Sequence, residues 1–145
     1  DVRYSEDTIF SARVVSATSS FYYLDGGRYY HYFFNPSSIT KSFKADRWES
    51  CKRLIGCFER DFSTRADYDF TDQLWLQKLY CVASALGQRS LISDKDERWR
   101  YCAKVCGDPV TVEACQHLSL LQVHWKLRVE FMLVRMRAAW LLARV

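Results

Sequence analysis

From Asp46 onward, apolar residues recur every three or four positions, the period of one face of an α-helix. Trp48, Cys51, Ile55 and Phe58 mark a first long helix. It opens at Asp46, whose carboxylate can cap the first turn while Glu49 reaches back, a D-x-x-E capping box. A second helix begins near Asp69, with Asp72 three residues on, and runs through Leu74, Trp75, Leu79, Val82 and Leu86 to a terminating Gly87. Ser93 with Asp96 opens a third, holding Trp99, Cys102 and Cys106. Gly107-Asp108-Pro109 then closes it and restarts the chain, with Gly at C′, Asp at the N-cap and Pro at N1. A fourth helix is expected from Pro109 to the end of the chain. On it Lys126, Glu130, Arg137 and Arg144 lie close to one meridian and Arg128 and Arg135 opposite, with Trp125, Phe131, Leu133, Met136 and Trp140 filling two apolar flanks. A helix with two such flanks is normally sandwiched between layers.

Before Asp46 the pattern changes. Asp1 to Thr8 is polar and reads as extended, and Ile9 to Ala17 suits a short helix or strand, with Val14-Val15 favouring the strand. Two aromatic runs, Phe21-Tyr22-Tyr23 and Tyr29-Tyr30-His31-Tyr32-Phe33-Phe34, then flank Asp25-Gly26-Gly27. They make either a β-hairpin or an irregular arm, and both need a surface to lie on, since a lone hairpin is marginal in water. The expected architecture is therefore mainly α: one domain over residues 1–145, with an aromatic arm over 1–44, cysteine-bearing helices over 45–116 and the long apolar and basic helix over 109–145.

Cysteine usage sharpens this picture. All six cysteines lie between Cys51 and Cys115, an even number in a chain of 145 residues that is long enough to fold without staples. Disulfides imply an oxidising compartment: the secretory route, the extracellular space or the mitochondrial intermembrane space. Buried free thiols are the alternative. Cys51 and Cys57 cannot join each other on one helix, whose rise between them is about 9 Å. About the Gly107–Asp108 turn Cys102 faces Cys115; a hairpin of the first two helices sets Cys51 opposite Cys81; Cys57 with Cys106 would tie the hairpins together.

The formal charge of +4 comes from 21 basic against 17 acidic residues, and no basic run forms the stripe that a nucleic-acid binder gathers. Aromatics make up 16% of the chain, five of them Trp, which suits a surface partly covered by partners. The chain has no signal-like segment and reads as mature, and no window of about 18 residues is free of charge, which argues against a membrane span.

Chemistry is sparse. Cys102, Cys106, Cys115 and His117 have zinc-ligating side chains, but structural zinc sites more often use tight pairs across a knuckle. His117 and His124, seven apart, have no nucleophile or orienting carboxylate beside them. The acidic pairs Asp46/Glu49 and Asp69/Asp72 read as helix caps. No phosphate loop, nucleophile elbow or H-E-x-x-H motif is present. Tyr29 to Phe34 could stack bases only beside a positive groove. The arginines of the last helix could touch anionic headgroups or simply snorkel. No catalytic residue, cofactor or metal is expected. The residues expected to contact partners are Tyr29, Tyr30, Phe33 and Phe34 of the arm with Trp125, Phe131 and Trp140 of the last helix.

Tyr29-Tyr30-His31, Pro36, Ile39-Thr40, Cys51-Lys52, Cys57-Phe58-Glu59, Asp67-Tyr68 and Cys81 stand in an order that resembles the PDSW accessory subunit of mitochondrial respiratory complex I (NADH:ubiquinone oxidoreductase). The chain departs from that family in the close spacing of Cys51 and Cys57, the long gap from Cys81 to Cys102, and an apolar helix in place of a charged tail. The resemblance implies a non-catalytic subunit, clamped by disulfides, among other protein subunits on the intermembrane-space side of the inner membrane. A second similarity, carried by Cys102, Cys106 and Cys115 followed by Leu118 and Leu120-Leu121, is to arthropod hyperglycaemic-hormone-type and related venom peptides. It implies the alternative of a secreted helical binding protein of hormone, toxin or gamete-recognition type.

Overall fold

A computed structural model describes residues 6–20, 22, 42–117 and 123–144. Their regular structure is helical throughout: α1 (Glu6–Ala17), α2 (Arg47–Phe62), α3 (Thr71–Leu86), a 3-10 turn (Gly87–Leu91), α4 (Lys95–Gly107), α5 (Pro109–His117), α6 (Trp125–Arg135) and α7 (Ala139–Leu142). The mainly α expectation holds. The aromatic arm, with Tyr29, Tyr30, Phe33 and Phe34, lies outside the described residues.

Ile9 to Ala17 is helix, not strand. Two valines are a weak β signal, and burial of Ile9 with packing of Ala12 on the core outweighs it while Val14 and Val15 stay exposed. Arg13 of α1 reaches Asp61 of α2 at 2.6 Å, and Arg65 donates to the Ser16 carbonyl.

Helices α2 and α3 form an antiparallel hairpin, the most extensive helix pair in the fold. The inward stripe of α2 is Trp48, Cys51, Leu54, Ile55, Phe58 and Phe62, answered by Leu79, Cys81, Val82, Ala85 and Leu86 of α3. At the hairpin turn Phe62, Tyr68 and Phe70 pack ring to ring, with centroids 5.1 and 4.7 Å apart. The expected capping box is not formed. Asp46 precedes α2 without a side-chain capping bond, and Glu49 turns outward to Lys52 and Lys104 instead. Just before α3, Asp69 does accept from the Thr71 N–H, one residue short of Asp72.

The second helix ends at Leu86 with Gly87 as its C-cap, as expected, but Gly87 keeps a right-handed φ of −58° and the chain tightens into the 3-10 turn. The reversal comes at Ile92, which is extended and buried. Helix α4 is capped by Asp94, whose Oδ1 accepts from the Glu97 N–H at 2.7 Å, in place of the expected Ser93. At the Gly107–Pro109 junction the boundary holds, with Asp108 extended at φ −66° and ψ 133° and α5 starting on Pro109, but Gly107 is the last residue of α4 and not its C′ residue.

The single long C-terminal helix is overturned. It is α5, α6 and α7, with α6 folded back on α5 and α7 laid against α4. Two local devices make the breaks. His124 is extended and caps α6, its Nδ1 accepting from the Lys126 N–H. Arg137 takes φ 54°, a left-handed conformation that L residues other than Gly, Asn and Asp seldom adopt. Arg98 on α4 then clasps the end of the chain, donating to the carbonyls of Ile92 and Ala143. One core results, running from Ile9 through Trp48, Leu86, Cys102 and Phe131 to Leu142.

Candidate functional site

The cysteines occupy that core. All six are thiols here, five buried and Cys57 half-buried. Cys51 and Cys81 meet across the α2–α3 interface, thiol against thiol. The contact with Cys81 holds the Cys51 pKa below its ordinary value while the same contact and burial drive Cys81 up, so Cys51 ionises first. Arg47, close by, favours the charged form at both. Around the Gly107–Pro109 turn, burial pushes Cys106 up to about 12, with Cys102 and Cys115 as charged neighbours adding to it, and lifts Cys115 to about 11. Burial also raises Cys102. These are inert, apolar thiols. Cys57 sits on α2 beside Arg60, about 13 Å of helix rise beyond Trp48, the α2 residue that meets the Cys106–Pro109 turn. The expected tie between Cys57 and Cys106 is not formed.

No metal set assembles either: among the described residues no three of His, Cys, Asp or Glu are placed to hold an ion. His117 stacks on Trp75, with ring centroids 4.1 Å apart and planes 2° from parallel. The ammonium of Lys78 lies 4.0 Å from the centre of the same indole and pairs with Glu59 at 2.7 Å. His124 belongs to a different helix from His117, so the two do not share a helical face.

Asp108 does far more than begin α5. Its Oδ1 accepts from the Val110 N–H, and its Oδ2 from the Trp48 indole N–H at 2.8 Å and from Lys52 at 3.1 Å. Trp48 is fully buried, so Asp108 is the acceptor that makes that burial tolerable. Burial alone would raise the Asp108 pKa; Trp48, Val110 and Lys52 together outweigh it and hold the carboxylate below its ordinary 3.8. A second unforeseen link is Arg89 of the 3-10 turn with Glu130 of α6, 2.7 Å apart and mostly buried. Acceptors sixty residues away in sequence leave no periodic trace, which is why pattern reading finds Asp108 as a cap and misses the rest.

Among the concavities and faces of the described residues, two apolar grooves and one outward face bear on binding. Phe58, Phe62, Tyr68, Phe70 and Leu74 line an apolar cavity of about 400 Å³ that Ala12 and Val15 of α1 close from above. A groove of about 400 Å³ runs between α4 and α7, flanked by Trp99 and Trp140, each half exposed. On α6 and its C-cap residue Met136, the side chains of Trp125, Val129, Met132 and Met136 are all more than half exposed. Of the last-helix residues expected to contact partners, Trp125 and Trp140 are thus outward. Phe131 is corrected: it is 0% exposed and fills this chain's own core, because the terminal helix folds back upon α5. Among the described residues no helix is long and apolar enough to cross a membrane. Comparison with protein-family models, with curated proteins and with solved structures finds no match to this chain.

Proposed function

We propose that the chain is a non-catalytic structural accessory subunit of a membrane-associated assembly, a mitochondrial inner-membrane respiratory complex of complex I type, facing the intermembrane space. The observation that carries this reading is the α4–α7 groove. Trp99 and Trp140 stand half exposed at its two sides and Cys106, Val112 and Ala139 form its floor, a pocket between aromatic anchors of the kind that subunit contacts fill. The resemblance of Tyr29 to Cys81 to the PDSW subunit supplies the identity of the assembly. Electron transfer and proton pumping belong, on this reading, to other subunits.

The intermembrane space also oxidises thiols. Cys51 and Cys81 are the pair we propose to be bridged there, by thiol–disulfide exchange in which a donor disulfide takes up both thiol hydrogens and leaves as two thiols. The experiment is native electrophoresis of detergent-solubilised mitochondria, probed for this chain. It is expected at the mass of a large complex, and Trp99→Ala with Trp140→Ala is expected to release it. Migration of the wild-type chain at its own mass would sink the reading.

The α1-covered cavity favours the second reading, a secreted disulfide-stabilised helical binding protein. Its walls are rings and aliphatic side chains at a volume suited to a small apolar ligand. Secretion into culture medium with saturable uptake of a neutral fluorescent hydrocarbon would select it over the subunit.

A further inference from the structure

We infer that the outward stripe of α6 is a seat for the surface of an anionic lipid bilayer. At 100° per residue Trp125, Val129, Met132 and Met136 fall within about 60° of the helix circumference. They are 62, 54, 54 and 70% exposed. The opposite face is committed elsewhere, since Phe131 and Val134 are buried in the core and Glu130 is paired with Arg89. The helix therefore presents a finished apolar ridge and has no ordering cost to meet on contact.

Charge names the occupant. Lys126 lies about 100° to one side of the ridge, and Arg128 and Arg135 about 60–80° to the other. Arg128 and Arg135 also donate through Nε to the Val123 and Cys115 carbonyls. Beyond Val123 the chain carries five cations, Lys126, Arg128, Arg135, Arg137 and Arg144, against the single acid Glu130. That difference equals the whole formal charge of +4, so the excess charge falls in the segment that carries this ridge. An apolar ridge with a Trp at its end and cations on both flanks is the arrangement that lies in the headgroup plane of a bilayer, rings and thioethers down, cations on phosphates. A second copy of the same ridge would bring cation against cation.

The inference rests on the subunit reading only for a membrane being within reach. Its test uses the full chain with vesicles of phosphatidylcholine, alone or with about one-third phosphatidylglycerol, at low and physiological salt. Flotation is expected to show binding at least tenfold tighter to the anionic vesicles, weakened by salt. Lys126→Gln should cost about fivefold. Met132→Ser with Met136→Ser, both at exposed positions, should abolish binding while helicity and thermal unfolding stay as in wild type. Equal binding to both vesicle types, no binding, or a double variant that binds as wild type would each overturn it. So would sedimentation of the wild-type chain as a dimer that the double variant dissolves. A chain that enters a large complex yet ignores vesicles defeats this inference alone; one that floats with anionic vesicles but joins no complex defeats the subunit reading alone.

Discussion

Replacing Asp108 tests the central joint of the fold. Asp108→Ala removes three bonds at once: the cap on α5, the acceptor of the Trp48 indole and the partner of Lys52. Loss of the cap is worth about 1 kcal/mol. Leaving the fully buried Trp48 N–H without an acceptor costs about 1–3 kcal/mol. Lys52 is about one-third exposed and also meets Glu49, so its share is about 0.5 kcal/mol or less. The expected loss is about 3 kcal/mol, which at a urea slope near 1.5 kcal/mol/M moves the midpoint by about 2 M. Asp108→Asn keeps one acceptor oxygen and should lose about half as much. A double-mutant cycle with Trp48→Phe isolates the indole bond and should give a coupling of about 1.5 kcal/mol. The carboxylate pKa is depressed in the folded state, so its contribution is present above the unfolded value of 3.8 and disappears as pH falls through the lower folded value. Wild type and Asp108→Asn should therefore begin to draw together as pH falls below 3.8 and meet only below the depressed folded value. An Asp108→Ala midpoint within experimental error of wild type, or a coupling near zero, would show that the Trp48–Asp108 bond contributes nothing.

Four further outcomes follow from the same packing. Phe131→Ala should lose about 3–5 kcal/mol in urea unfolding because Phe131 is core, whereas Trp125→Ala should stay within about 0.5 kcal/mol; the reverse order would restore Phe131 to the surface. The Thr111 hydroxyl is fully buried and among the described residues has no hydrogen-bond partner, so Thr111→Val should raise stability by about 1 kcal/mol, and a loss would reveal a partner for the hydroxyl. Arg137→Gly should relieve the left-handed backbone and raise the melting temperature by a few degrees, about 0.5–1 kcal/mol, and an unchanged or lower melting temperature would show that the backbone there stores no strain worth relieving. Arg89→Ala should cost about 2–3 kcal/mol by stranding Glu130, while Arg89→Met with Glu130→Leu should recover most of it; a double variant no better than the single would show that the stranded charge is not the source of the loss.

What the sequence disclosed, it disclosed through period and local chemistry. The stripe from Trp48 to Phe58 and the Gly107-Asp108-Pro109 restart are local signals, and both survive. The hairpin argument also sets Cys51 opposite Cys81, because antiparallel helices joined by a short turn leave little choice of register. Failures arise where distant groups decide. Glu49 has a good capping position but finds Lys52 and Lys104, and Asp94 takes the cap from Ser93 one residue earlier. The terminal helix has unbroken helical periodicity through Trp125, Phe131 and Trp140, yet breaks at His124 and Arg137. No proline or glycine announces either break, and only the gain from packing α6 on α5 and α7 on α4 explains them. The α6 ridge was half legible: two apolar flanks were visible, but which one faces inward depends on that folding back.

Arg98, whose guanidinium gathers the carbonyls of both Ile92 and Ala143, has a consequence for synthesis. A ribosome delivers α4 before the residues that lie against it, so Cys102, Val105 and their neighbours wait with an uncovered side until α7 has emerged. The middle of this domain is thus sealed by a segment made after it, and losing the Arg98 clasp would open the protein at its middle and not merely fray α7.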